Sequence, residues 1–133
     1  MNDLFSLNGK CALITGASGS FGRHFAMVLA RAGAVVALTA RRLDELKTIA
    51  AEINAVGGKA AAFTLDVTDP TSIDDAFTIA EKRLGPITLL VNNAGINVTR
   101  SLLEYDEGAW DKVMDTNLKG AWLVAQKAAR QME

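Results

Sequence analysis

Two hydrophobic periods alternate along this chain, and that alternation limits its fold more than any other feature. Unbroken apolar runs stand at "CALIT" (Cys11 to Thr15), "VVALT" (Val35 to Thr39) and "ITLLV" (Ile87 to Val91), with a weaker run at "AAAFTL" (Ala60 to Leu65). Unbroken apolarity, unlike an every-other-residue pattern, is what a parallel strand covered on both faces requires. Between the runs the period lengthens to that of a helix. The stripes are Phe21, Phe25, Val28, Leu29 and Ala32, then Leu43, Leu46, Ala50 and Ile53, then Ile73, Ala76, Phe77, Ala80 and Leu84. Each stripe is expected to cover one face of a sheet. Gly33, the pair Gly57 and Gly58, and Gly85 before Pro86 supply helix stops, while Asp69 before Pro70 suits an N-cap and first-turn position. The order βαβαβαβα with right-handed crossovers predicts an α/β fold, a doubly wound parallel sheet. A fourth helix is expected from about Asp106 to Met132, with the stripe Trp110, Val113, Met114, Leu118, Ala121 and Ala125 joined by Trp122, Leu123 and Val124. A helix apolar nearly all round needs a second packing partner besides its own sheet.

Composition narrows the function. The 133 residues suit a single domain, 1–133. Fourteen Lys and Arg against fifteen Asp and Glu leave a formal net charge of -1, so no basic field is available for nucleic acid or an anionic membrane, and neither is expected as a partner. The lone cysteine, Cys11, excludes a disulfide within the chain and argues against a Cys-based metal cluster; no metal site is expected. The opening "MNDLFSLNGK" lacks the cationic and apolar segments of a signal peptide, and no apolar run approaches the roughly 20 residues of a membrane span. A reducing, cytoplasmic setting is expected.

The first strand passes into the first helix through "LITGASGSFGRHFA", a turn almost without side chains, with Gly16, Gly19 and Gly22 at the junction. Glycine lets a ligand approach the backbone, and unpaired N–H groups with the helix dipole attract an anion. A tight strand-to-helix connection would use the same residues. Their place at a strand, turn and helix junction favours a phosphate cradle.

"TGASGSFG" resembles the TGxxxGxG signature of the short-chain dehydrogenase/reductase family, and "NNAG" at Asn92 to Gly95 its second signature. "LDV" at Leu65 to Val67 and the Asn of "DTNLKG", Asn117, fall in the family's order. The resemblance covers nearly the whole chain and departs from the family at Ser20, which stands where the middle glycine is usual. It implies a Rossmann-like dinucleotide-binding domain. Backbone around Gly16, Ser18, Gly19, Ser20, Phe21 and Gly22 would meet the pyrophosphate, Asp66 and the Val67 backbone would hold the adenine, and Asn93, Ala94 and Gly95 would lie along the ribose nearest the nicotinamide. On a plainer reading, Asp66 caps a turn and Asn92 or Asn93 bonds neighbouring strands.

The end of the second run selects the cofactor. A carboxylate there would accept from the adenosine ribose hydroxyl and repel a 2'-phosphate; this chain reads "LTARR", with Ala40, Arg41 and Arg42. NADP is therefore favoured over NAD, with Arg41 as the better phosphate ligand. Two solvated arginines opening a helix are the alternative.

Members of the family pass hydride between nicotinamide and a small alcohol or carbonyl compound, while a Tyr exchanges the hydroxyl proton, a nearby Lys lowers its pKa and a Ser orients the substrate. Of the family's catalytic four, an Asn together with that Ser, Tyr and Lys, only Asn117 is matched here: the one tyrosine, Tyr105, is followed four residues later by Ala109, so the family's YxxxK pattern is absent. The chain thus reads as the cofactor-binding part of a family member, truncated after the fourth strand and fourth helix and without turnover of its own. A small-molecule substrate is expected only with the remaining half. The opening "LFSLNGKCALITG" resembles members that handle sugar acids or 3-oxoacyl thioesters, a pattern shared too widely to name a substrate. The bare "ITLLV" edge and the fourth helix predict a homo-oligomer. The alternative is a non-catalytic nucleotide-binding or self-assembling interaction module.

Overall fold

The computed structural model describes residues 4–133. The four runs form β1 (Cys11–Ile14), β2 (Val35–Ala40), β3 (Lys59–Thr64) and β4 (Leu89–Val91), joined in one sheet of order β3-β2-β1-β4. All pairings are parallel, and in register Leu13 lies beside Ala37 on one side and Leu90 on the other. The chain moves outward from β1 to β3 and then returns to the far side of β1 for β4. That reversal leaves a crevice at the C-terminal ends of β1 and β4, the place where parallel sheets bind ligands.

The helices are α1 (Ser20–Arg31), α2 (Leu43–Ala55), α3 (Pro70–Leu84), α4 (Glu107–Met114) and α5 (Ala121–Met132). Their stops and starts follow the chemistry of single residues. Asp69 accepts a hydrogen bond from Thr71 N–H at 3.0 Å to open α3, Pro70 fills its first turn, and Gly85 ends it at φ 98°. Each side of the sheet has its own core. Ala12, Ile14, Val36 and Leu38 pack beneath α1 and α2 with Leu46 and Ile53; Leu13, Ala37 and Phe63 pack beneath α3 and α5 with Ile73, Phe77 and Val124. Phe77 is fully buried, a burial that contributes on the order of 2–3 kcal/mol.

Two of the expected helix faces differ. On α1 the large residues of the stripe look outward, with Phe21 72% exposed and Phe25 and Val28 also exposed; the inward residues are Gly22 and Ala26, with Leu29 and Ala30 partly covered. The reason is proximity: α1 lies so close to the turn after β1 that only small residues fit between. The expected fourth helix is interrupted by a π-helical turn at Asp115–Gly120. The wider turn shifts the helical phase, so α5 buries Val124 and Ala128, while Trp110, Leu118 and Trp122 are left more than half exposed. Polar pairs hold α5 to α3, Lys127 with Asp74 at 3.1 Å and Gln131 with Glu81 at 2.6 Å.

Candidate functional site

A cleft of about 390 Å³ opens at the C-terminal ends of the strands. Its floor is the turn after β1, its sides the segments after β2, β3 and β4. Of the fourteen residues singled out in the sequence, all but Gly22 and Asn117 line it. Those two stand behind the wall and shape it.

Gly16 has φ 60°, and a Cβ there would lie 2.8 Å from the Ala94 Cα. A Cβ at Gly22 would meet the Ala17 Cα at 2.7 Å and Asn93 Nδ2 at 3.0 Å. Both positions therefore need glycine to bring the first turn of α1, the β1 turn and the β4 segment together. Ser20 is no such position: it is the first residue of α1, and among the described residues no residue other than glycine has a positive φ. The family's middle glycine is thus replaced without backbone strain, and the Ser20 side chain stands at the cleft.

The start of α1 is built for an anion. Asp69 and Asp106 cap α3 and α4 with side-chain oxygens, but α1 begins at Gly19, with no side-chain cap and no acid in its first turn. Arg23 N–H bonds back to the Gly19 carbonyl, so the N–H groups of Ser20, Phe21 and Gly22 precede the first helical bond. Orphan donors and the positive end of the helix dipole converge there. This is the structural fit to a pyrophosphate.

Thr15 fastens the two signature segments. It is fully buried, and its Oγ1 accepts from Asn93 N–H at 2.9 Å and Ala94 N–H at 3.0 Å. The Asn93 amide in turn donates to the Thr15 and Gly16 carbonyls at 3.2 and 3.1 Å, and the Asn92 amide donates to the Ala121 carbonyl at 2.7 Å. The asparagine side chains thus do the bonding between neighbouring segments that the plainer reading expects, and Asn93, Ala94 and Gly95 line the cleft. The sequence reading did not single out Thr15. Its signal was a hydroxyl closing an apolar strand directly before a glycine.

Asp66 also closes a turn. Its Oδ1 accepts from Thr68 Oγ1 at 2.7 Å and Thr68 N–H at 2.9 Å. These bonds, with a smaller contribution from the nearby Arg41 guanidinium, hold its carboxyl below the ordinary aspartate range against the opposing effect of burial. Its second oxygen has no bond to Thr68. Across the cleft Arg42 opens α2 and pairs loosely with Glu45 at 3.5 Å, while Arg41 lines the cleft near Asp66. The cleft's β2 corner therefore carries two guanidinium groups and no carboxylate of its own.

Asn117 lies in the π-helical turn and clamps the segment after β4: its Oδ1 accepts from Ile96 N–H and its Nδ2 donates to the Ile96 carbonyl, both at 2.8 Å. Thr116 beside it faces the cleft. Tyr105 is elsewhere, beside Trp110 in an apolar hollow next to α4. Cys11 is buried in β1, where burial and then the Glu81 carboxylate push its thiol up, away from nucleophilic use. Among the described residues no three His, Cys, Asp or Glu side chains stand close enough to share a metal, and no helix is long and apolar enough to cross a membrane.

Comparison with known proteins agrees with this geometry. Gluconate 5-dehydrogenase of Gluconobacter oxydans is 42% identical over 130 residues, which are 98% of this chain and 51% of that protein. The 5-keto-D-gluconate 5-reductase of Escherichia coli K12 is 36% identical over 132 residues, 99% of this chain and 52% of that one. The crystal structure of a short-chain type dehydrogenase/reductase from Mycobacterium marinum superposes with a TM-score of 0.94 at 44% identity, covering 98% of this chain and 53% of that chain. The chain thus spans about half the length of the relatives it matches. The profile of the family described as short chain dehydrogenase matches residues 10–133, and with that match the chain belongs to the short-chain dehydrogenase/reductase family.

Proposed function

We propose that the cleft binds NADP(H), with Arg41 holding the 2'-phosphate, and that the chain is the cofactor-binding part of an oxidoreductase acting on a hydroxyl or keto group of a sugar acid. One observation carries the cofactor choice: the β2 corner of the cleft offers guanidinium groups where a carboxylate would be needed to prefer NAD. A guanidinium meets a phosphate through paired, charge-assisted donors. The pyrophosphate would lie on the N–H groups opening α1, the adenine against Val67 and the free oxygen of Asp66, and the nicotinamide ribose along Asn93 to Gly95. When bound, the nicotinamide supplies hydride exchange with a carbonyl or alcohol carbon. The residues in hand orient that group: Thr15 and Asn93 fix the β4 segment against the β1 turn, and Asn117 fixes Ile96. The gluconate relatives support the substrate class.

A proton-transfer group is a different matter. Tyr105 stands outside the cleft and has no lysine four residues on, so this chain by itself holds and orients cofactor without turning it over. Self-association accompanies that role, through the exposed tryptophans and the outer edge of β4.

Titration calorimetry of the chain with NADP and NAD tests the reading. NADP is expected to bind the more tightly, and Arg41→Ala to weaken NADP by about 10- to 100-fold, from the roughly 1.5–3 kcal/mol of a charge-assisted bond, while leaving NAD almost unchanged. The same samples given 5-keto-D-gluconate and NADPH are expected to consume none. Equal affinity for the two cofactors, or no loss in the variant, overturns the Arg41 assignment.

A further inference from the structure

The π-helical turn Asp115–Gly120 touches both ends of the cleft. At one end Asn117 clamps Ile96. At the other, Gly120 is buried against Val67: a Cβ at position 120 would come within 2.7 Å of Val67 Cγ2 and 3.0 Å of Val67 Cβ, and within 3.1 Å of the Asp115 carbonyl. Val67 is itself 6% exposed and lines the cleft on its other side. With the Gly120 turn on one side and the cleft on the other, Val67 pushed away from position 120 moves into the cleft.

We infer that Gly120 is a positioning residue for cofactor binding: by carrying no side chain, it lets Val67 sit back and sets the depth of the adenine end of the cleft. The argument is steric. β-branched Val67 has few rotamers with which to avoid an added methyl, and packed interiors answer one extra carbon by shifting their neighbours. An alanine at 120 would be the better helix former. Glycine there is thus accounted for first by Val67, the nearest neighbour, with the Asp115 carbonyl of the same turn adding to the crowding. The π turn then acts as a common back wall, with Asn117 setting the nicotinamide end and Gly120 the adenine end.

This rests on the dinucleotide reading above, and the test separates the two. The intact chain is titrated with NADP, with ADP as a probe of the adenine half, and with nicotinamide mononucleotide as a probe of the other. Wild type is expected to bind all three, and failure to bind NADP overturns the dinucleotide reading itself. Gly120→Ala is expected to weaken ADP and NADP by about tenfold, the scale of a modest overpacking penalty, and to leave nicotinamide mononucleotide within about twofold. Adding Val67→Ala removes Cγ2 and should restore ADP affinity to that of Val67→Ala alone. Unchanged ADP binding in Gly120→Ala, or an equal loss for both probes, overturns the positioning role. Should Gly120→Ala fail to fold, the double variant decides: a folded double variant that binds ADP like Val67→Ala supports the inference, and one that stays unfolded or unbound refutes it.

Discussion

Asp66 shows how one carboxylate oxygen can close a turn while the other makes no bond to it. Its Oδ1 is committed to Thr68, and that commitment holds the carboxyl below its ordinary range of about 3.9. A carboxyl whose pKa is lower in the folded state stabilises the fold above its unfolded pKa and loses that contribution as the pH falls through the folded value. Asp66→Asn keeps an oxygen for the Thr68 N–H but removes the charge. Urea unfolding is therefore expected to find wild type the more stable at pH 7, with the gap closing as the pH is lowered from about 5 to below 3.9. A gap that stays constant across that range would show that Asp66 contributes shape without charge. The turn was open to a sequence reader, since an aspartate two residues before a threonine is a common way to close one. What "LDVTD" does not reveal is that both bonds from Thr68 fall on the same carboxylate oxygen.

At the scale of elements, the caps and the order of strands and helices are written in local chemistry and so could be read directly. Asp69, Pro70, Gly33 and Gly85 act within a few residues of themselves. Faces are harder. The inward side of α1 is made of Gly22 and Ala26, which contribute almost nothing to a hydrophobic period, whereas the exposed Phe21 and Phe25, which stack on each other at 6.4 Å between centroids, dominate it. The π-helical turn was invisible for a related reason: one wider turn leaves no mark on composition and moves every later residue to a new face. Its function shows in Asn117, which bonds both backbone groups of Ile96. Asn117→Ala leaves those groups to water and should cost about 1–2 kcal/mol of stability, the worth of two partly exposed hydrogen bonds. Hydrogen exchange separates this from general loosening. The Ile96 amide is expected to exchange faster than global destabilisation alone requires, while the β1 and β2 amides follow global stability.

At the scale of the molecule, the cleft is made by a sheet whose two sides are covered unequally. The α1 and α2 side and the α3 and α5 side each have a buried core, but among the described residues β4 has β1 as its only partner in the sheet, and its three residues are half-buried. Trp110, Leu118 and Trp122 are more than half exposed, and Leu102 and Leu103 almost fully. Aromatic side chains of this size are the usual anchors of protein interfaces. A formal net charge of -1 supplies little repulsion between copies. A second copy of the chain burying these side chains is therefore the expected state in solution at micromolar concentrations. Sedimentation velocity should give a mass above 14.1 kDa that rises with concentration, and Trp110→Lys combined with Trp122→Lys should return it to 14.1 kDa. Neither tryptophan lines the cleft, so NADP affinity measured on the same variant should match wild type. A parent chain that sediments at 14.1 kDa at every concentration would mean that the exposed tryptophans do not pair copies of this chain.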